Sequence, residues 1–171
     1  MKKSGYILLV VLLMIGEALV AQKRKERKEA FSSNYNYEIH IMAVGMDGTK
    51  VYKVYGYGKK VEDAILNAKR SAVAAAVFKD IPGHSGVEGS PAICSDSEVA
   101  TRHADYFDSF FAYGGPWQNY VNLTTDAAPS GKDRVKMKDG YKVGVVVQVL
   151  YDNLRKDLEK VGIVKTLDHL F

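Results

Sequence analysis

The residues best suited to metal binding or nucleophilic chemistry in this sequence are four histidines and one cysteine. The histidines are His40, His84, His103 and His169, and Cys94 is the only cysteine. No two histidines have the His-x-x-x-His spacing that would place two imidazoles on one helix face. Because a protein metal site usually needs three or four converging ligands, the sequence predicts no metal site and no cofactor.

Cys94 would become a good nucleophile only if a neighbouring imidazole stabilised its thiolate. His84 and His103 are the candidate partners, and a hydrolase built on such a pair would show a depressed thiol pKa. No recognisable motif surrounds Cys94, which favours a small, half-buried apolar side chain. A free thiol in an exported protein could also pair with another chain.

Ser85 is the second candidate nucleophile, in the sequence Gly83-His84-Ser85-Gly86. A nucleophile elbow has the pattern Gly-x-Ser-x-Gly, and Val87 stands where its final glycine is needed. The segment also follows a predicted helix rather than a strand. The sequence therefore predicts a protein that is not an enzyme.

Aromatic residues offer a different kind of chemistry, which is binding. Tyrosines cluster between residues 35 and 57, and a second aromatic group lies between 106 and 117. Most of the second group is expected to pack in the core. Aromatic residues outside the core form good protein contacts, and they can also stack on sugar rings. The candidate binding residues are Tyr55, Tyr57 and Trp117.

A long segment, residues 80–97, is rich in Gly, Pro and Ser and has no hydrophobic periodicity. Long loops without secondary structure in a compact domain are usually functional or disordered. The segment is therefore the best candidate binding loop, with His84, Ser85 and Glu88 as its binding residues.

Two predicted hairpins and a helix must position these residues. Strands at 36–45 and 49–58 flank Met46-Asp47-Gly48, and strands at 135–138 and 141–150 flank Asp139-Gly140. Asp-Gly between alternating apolar runs is the strongest short hairpin signal. Between the hairpins, residues 61–79 switch to helical periodicity with an alanine stripe, and Gly56-Tyr57-Gly58 before them is interpreted as a strand-end turn.

The remaining elements are less regular. Ser95 and Glu98 have the spacing of a capping box at the start of a second helix, which ends at Gly114-Gly115-Pro116. A third strand is predicted at 117–125 and a closing helix through Leu154 and Leu158. The fold class is α+β: one domain at 36–171, with a largely antiparallel sheet of about five strands and about three helices packed mainly on one face.

The composition and charge fit such a domain. The chain has 171 residues, of which 47% are hydrophobic and 26% charged, and these values exclude a disordered chain or a polytopic membrane protein. The net charge of +4 is small for a nucleic-acid-binding protein. No nucleic-acid partner is predicted.

The N-terminal segment 1–21 is typical of a signal peptide. Lys2 and Lys3 precede an unbroken apolar run at 6–15, and small residues lead to Ala21. Ten apolar residues are too few to span a bilayer of about 30 Å. The prediction is a periplasmic or outer-membrane-associated protein; no cysteine follows the apolar run, so a lipid anchor is not predicted.

A basic tether is predicted to follow at 22–35. Its cations are Lys23, Arg24, Lys25, Arg27 and Lys28. They could attract anionic lipid headgroups. Since they outnumber the cations before the apolar run, the positive-inside rule supports an alternative, an uncleaved inner-membrane anchor with a cytoplasmic domain.

Two stretches of the chain carry a family resemblance. They are Tyr55-Gly56-Tyr57-Gly58, followed by Asp63-Ala64 and the run from Asn67 to Val73, and the late strand from Tyr141 to Val147. They resemble the N-terminal domain of flagellar assembly protein T and related short envelope lipoproteins of Gram-negative bacteria. The whole mature chain also resembles an uncharacterised family of small exported proteins of such bacteria. The resemblance implies a non-enzymatic part of a larger envelope assembly, and it brings no catalytic residues.

The sequence thus predicts a non-catalytic exported envelope protein. It would dock into its assembly through a sheet edge, the tyrosine hairpin or the loop 80–97, and a homo-oligomer is compatible with the same surfaces. The alternative is a soluble protein that binds a glycan or another small ligand through the same loop and aromatic residues.

Overall fold

The computed structural model describes residues 38–138 and 140–165. The predicted signal peptide and basic tether lie outside the described residues. The strands are β1 (Ile39–Val44), β2 (Lys50–Gly58), β3 (Val121–Leu123), β4 (Arg134–Met137) and β5 (Gly140–Val149). The helices are α1 (Val61–Phe78), α2 (Val99–Arg102), α3 (Ala104–Phe110) and α4 (Tyr151–Lys160), with 3-10 helices at Pro116–Tyr120 and Gly131–Asp133.

The strands form one antiparallel sheet, which confirms the predicted α+β class and the two hairpins. The order is β1-β2-β5-β3, and β4 pairs with the beginning of β5 while β3 pairs with its end. In the first hairpin, Gly48 has a φ of +73°, and the Asp47 carboxylate accepts a hydrogen bond from the Thr49 hydroxyl at 2.6 Å. β1 is shorter than predicted, and a bulge shifts its register between Ile41 and Ala43, which leaves Ala43 exposed rather than on the apolar face.

The helices pack mainly on one face of the sheet, as the alternation of side chains predicts. The sheet residues buried on this inner face are Ile41, Tyr52, Val54, Val143, Val145, Val147 and Val149. α1 covers β2 and β5 and buries its alanine stripe there. Its first turn carries Glu62 and Asp63, which suit the positive end of the helix dipole. Among the described residues, no helix has the length and apolar character needed to cross a membrane.

Two glycines of β2 allow the close contact between α1 and the sheet. The interpretation of Gly56-Tyr57-Gly58 as a strand-end turn is wrong, because Gly56 pairs with Val143 and Gly58 with Tyr141 inside the sheet. A Cβ atom at Gly56 would lie 2.1 Å from the carbonyl oxygen of Ala64. The small residues of strand and helix therefore let the two backbones approach each other.

The segment 80–97 is not a structureless loop. Ile81 pairs with Ser90 and His84 with Val87 in two antiparallel bridges, so the chain folds back on itself as a small clasp. The Tyr52 hydroxyl donates to the Ser90 hydroxyl at 2.8 Å, and the Tyr151 hydroxyl donates to the carbonyl of Pro91 at 2.7 Å. The clasp is therefore fixed to the core at its base, and its tip is exposed.

The second helix starts and ends differently from the prediction. The capping box at Ser95 and Glu98 does not form, because the Asp96 carboxylate accepts the Glu98 N–H at 2.8 Å instead. The helix is interrupted at His103, whose φ and ψ of −111° and 37° are not helical, and this break separates α2 from α3.

The strand predicted at 117–125 is shorter than expected, because its first four residues belong to the 3-10 helix Pro116–Tyr120. Pro116 is its first residue, where the fixed φ of proline suits a helix start. The Trp117 indole N–H then donates to the carbonyl of Ala112 at 2.9 Å. Only Val121–Leu123 pairs as a strand.

Candidate functional site

The outer face of the sheet, opposite α1, carries the most ordered group of polar and aromatic side chains. Lys53, Tyr55 and Tyr57 project from β2, since they alternate with the buried Tyr52 and Val54. Lys142 projects from β5 directly opposite Tyr57. We call Lys53, Tyr55, Tyr57 and Lys142 the tyrosine–lysine face.

The Tyr55 ring packs against Gly144 of the neighbouring strand β5. Tyr55 pairs with Gly144, and a Cβ atom at that glycine would lie 2.5 Å from Cε1 of the ring. The ring therefore lies directly against the backbone of β5, and together with Asp133 it buries Gly144 on the face opposite α1. A larger residue at position 144 would lift the ring off the sheet.

Asp133 fixes one side of the face. Its carboxylate forms an ion pair with Lys53 at 2.7 Å, and it accepts a hydrogen bond from the Tyr55 hydroxyl at 3.3 Å. The hydrogen bond from Lys53 is the main reason why the pKa of Asp133 is lowered. Burial and the neighbouring Asp133 raise the pKa of Tyr55, so its hydroxyl stays protonated as a donor at neutral pH.

Lys142 fixes the other side. Its ammonium forms an ion pair with Glu38 at 2.6 Å and lies 4.6 Å from the ring centroid of Tyr55 and 6.0 Å from that of Tyr57. The hydrogen bond to Glu38 raises the pKa of Lys142. The two lysines and two carboxylates cancel in charge, and the tyrosines lie between them. This arrangement suits binding rather than proton transfer, because the pKa values of Asp133 and Lys142 are both shifted so that the charged form is favoured.

The clasp residues lie at the neighbouring edge of the sheet. The His84 ring lies 5.1 Å from that of His40 in β1, and His40 pairs with Lys53 across the first hairpin. Ser85 has a φ of +51° in the exposed turn, and Glu88 is exposed beyond it. Among residues 38–138 and 140–165, no three His, Cys, Asp or Glu side chains are grouped as metal ligands would be.

The prediction that Trp117 is a binding residue is wrong, because this residue is buried. Its side chain is 1% exposed, so the ring is part of the core and is not available to a ligand. Aromatic type and position could not distinguish it from Tyr55 and Tyr57. The distinction comes from Pro116, which turns the chain inward as a 3-10 helix.

Cys94 is buried beside α2, with 7% of its surface exposed. Burial raises the pKa of its thiol to about 11, which is the opposite of the depressed pKa that a nucleophilic thiol needs. The structure therefore gives Cys94 the properties of a core residue.

Alkylation of Cys94 should accordingly be slow in the folded protein. A rise in pKa from 9.0 to about 11 lowers the thiolate fraction at pH 8 by about 100-fold. We expect the rate of reaction with iodoacetamide at pH 8 to be lower than that of the protein unfolded in urea by at least this factor. A native rate equal to the unfolded rate would show that the thiol is accessible and ionised.

Four residues of the tyrosine–lysine face and its ion pairs were not among the predicted site residues: Lys53, Lys142, Glu38 and Asp133. Glu38 and Asp133 are separated from their partners by 104 and 78 residues, and no local spacing reveals such pairs. Lys142 could have been found, since the alternation of the valine strand places it on the face opposite Val143.

Comparisons with family models, with curated proteins and with solved structures give no match to this chain.

Proposed function

We propose that this protein is a non-catalytic, exported accessory component of a larger assembly in the cell envelope. It would bind a protein partner through the tyrosine–lysine face. The observation that carries the proposal is the arrangement of Tyr55 and Tyr57 on the sheet face opposite α1, where Asp133 and Lys142 hold the Tyr55 ring.

The physical basis is the low cost of binding with side chains that are already ordered. Tyrosine offers a large contact area with few rotatable bonds and is enriched where interfaces carry most of their energy. The ion pairs of Lys53 and Lys142 hold the rings before a partner arrives, which reduces the entropy lost on association.

Export and the envelope location are supported by the sequence alone. The apolar run at 6–15 between Lys3 and Ala21 is typical of a signal peptide. The resemblance to envelope domains points to the same compartment.

Binding of a glycan receives less support from the geometry. A sugar stacks on an open ring face, whereas the Tyr55 ring lies against Gly144 and has the Lys142 ammonium 4.6 Å from its centroid. A protein partner can instead contact the exposed parts of Tyr55 and Tyr57, since both side chains are only partly buried.

The test is chemical crosslinking in the native cells, followed by fractionation and N-terminal sequencing. We expect a mature chain starting at Gln22, recovered with the envelope and crosslinked to a larger protein. The change Tyr57→Ser should weaken that complex by about tenfold or more, and Tyr55→Ser should do the same.

Tyr113→Ser is the matched control, since Tyr113 is 84% exposed and lies outside the tyrosine–lysine face. It should leave the crosslinked complex unchanged. A chain that begins at Met1 and faces the cytoplasm would refute export, and equal crosslinking of all three variants would refute the proposed face.

A further inference from the structure

β4 is a strand that adds nothing to the hydrophobic core. All four of its residues, Arg134–Met137, are exposed, and so is Lys138 after it. In the described part of the chain it pairs only with β5. These exposed side chains can therefore contact another molecule, although the Arg134 guanidinium also lies 5.6 Å from the ring centroid of Tyr141.

Two apolar side chains stand among the cations of this strand. Val135 and Met137 are 45% and 47% exposed, and they alternate with Arg134, Lys136 and Lys138. We call these five residues the basic hairpin tip. Between positions 132 and 142 the sequence has five basic and two acidic residues, and one of the acids, Asp133, is paired with Lys53.

The end of β2 lies against the tip and extends it. A Cβ atom at Gly140 would lie 2.2 Å from the carbonyl oxygen of Gly58, so the exposed Lys59 is adjacent. A recess of about 370 Å³ opens between the two hairpins, lined by Tyr57, Gly58, Lys59, Met137, Lys138 and Tyr141 among others. Cations and apolar groups thus share one end of the molecule.

A second exposed pair of the same residue types provides a contrast. Met42 and Val44 in β1 are each 48% exposed, and they too lie two residues apart in a strand. Between positions 38 and 48, however, there is no Lys or Arg, and Glu38 and Asp47 are present. Of these two exposed Met–Val pairs, the one in the basic hairpin tip is accompanied by a surplus of positive charge.

We propose that the basic hairpin tip binds the surface of an anionic lipid bilayer. Its ammonium and guanidinium groups would contact phosphate headgroups, while Val135 and Met137 would enter the boundary between headgroups and acyl chains. A soluble polyanion would satisfy the cations but would offer the two apolar side chains no partner. Successive residues of a strand point to opposite faces, so the cations and the two apolar side chains lie on opposite sides of β4. β4 would therefore meet the bilayer along its edge, and its long basic side chains would reach round to the phosphates while their stems cover apolar surface.

The test is cosedimentation of the purified mature chain with phosphatidylcholine vesicles, with and without phosphatidylglycerol, at low salt. We expect binding only to the anionic vesicles. Lys136→Gln with Lys138→Gln should lower the partition coefficient by about 30-fold, since each surface cation contributes about 1 kcal/mol. Val135→Thr with Met137→Thr should lower it by about tenfold.

Matched controls separate the tip from general charge and from the basic tether, which every variant retains. Met42→Thr with Val44→Thr removes an equally exposed apolar pair, and Lys156→Gln with Lys165→Gln removes two exposed charges elsewhere. Both should bind as the parent does, with unchanged circular dichroism and melting temperature in all variants.

Three outcomes would overturn the proposal. They are equal binding to neutral vesicles, equal losses in the tip and control variants, and an unchanged partition coefficient in the threonine variant. If soluble polyphosphate abolished vesicle binding while the threonine variant bound normally, the ligand would be a soluble polyanion instead of a bilayer.

Discussion

Replacing Gly56 with alanine is expected to destabilise the protein by about 3 kcal/mol or more. The new Cβ atom would lie 2.1 Å from the carbonyl oxygen of Ala64 and 2.5 Å from the amide nitrogen of Ala68. Both atoms belong to the backbone of α1, so no side-chain rotation relieves the contact, and the helix has to move away from the sheet. Urea unfolding followed by circular dichroism measures the change.

Gly131→Ala is the control for the loss of a glycine as such. Gly131 has a φ of +56°, but a Cβ atom there meets nothing within 4 Å. Gly131→Ala should therefore lower the free energy of unfolding by about 1 kcal/mol, which is the cost of placing a residue with a Cβ atom in the left-handed region. If Gly56→Ala cost no more than this control, the close contact between helix and strand would be refuted.

Replacing Trp117 with alanine is expected to cost about 3 to 5 kcal/mol. The indole is the largest fully buried side chain of the described residues, and its loss leaves a cavity and removes one of the two hydrogen bonds that the Ala112 carbonyl accepts, the other coming from the Gly115 N–H. Against a total stability of about 5 to 15 kcal/mol for a domain, the variant should unfold at much lower urea concentration.

Two variants show whether the effect comes from burial. Trp117→Phe keeps most of the apolar contact and should cost about half as much, whereas Tyr113→Ala changes an exposed ring and should stay within about 0.5 kcal/mol. If Trp117→Ala were as mild as Tyr113→Ala and instead abolished the envelope crosslink, Trp117 would be the surface binding residue that the sequence suggests.

Patterns in the sequence correctly predicted the elements whose structure depends on residues close together in the chain. The two Asp-Gly hairpins and the helix from Val61 depend on contacts between near neighbours, and the structure confirms them. The strand predicted at 117–125 exists but is shorter, Val121–Leu123, because Pro116 and the burial of Trp117 outweighed the β-forming tendency of the residues before it. The clasp was not predicted because its two bridges need a turn with positive φ at Ser85 and Gly86. A Gly-rich stretch of sequence does not by itself indicate such a turn.

The candidate site could be predicted only in part, because it too depends on contacts between residues that are distant in the sequence. The type and alternation of Tyr55 and Tyr57 placed them on the free face of a strand. Their partners Asp133 and Glu38 arrive from distant parts of the chain, and charge alone gives no sign of which carboxylate meets which lysine. The role of Gly56 was not predicted either, because the sequence alone does not distinguish a glycine inside a strand from a glycine in a turn.

The central strand pair has a consequence for the order in which the protein can fold. β2 joins β5 across a separation of 99 residues at Lys50–Val149 and 83 residues at Gly58–Tyr141. The first hairpin and α1 can form from local contacts as soon as they leave a ribosome or a translocation channel. The edge of β2 that faces β5, however, has no strand to pair with until β5 begins to emerge, and its pairing is complete only with residue 149. Such non-local pairing makes folding slow. An unpaired strand edge on a partly synthesised chain can associate with other chains. This topology is therefore best suited to a cell in which another protein binds the first half of the chain until the second half has emerged.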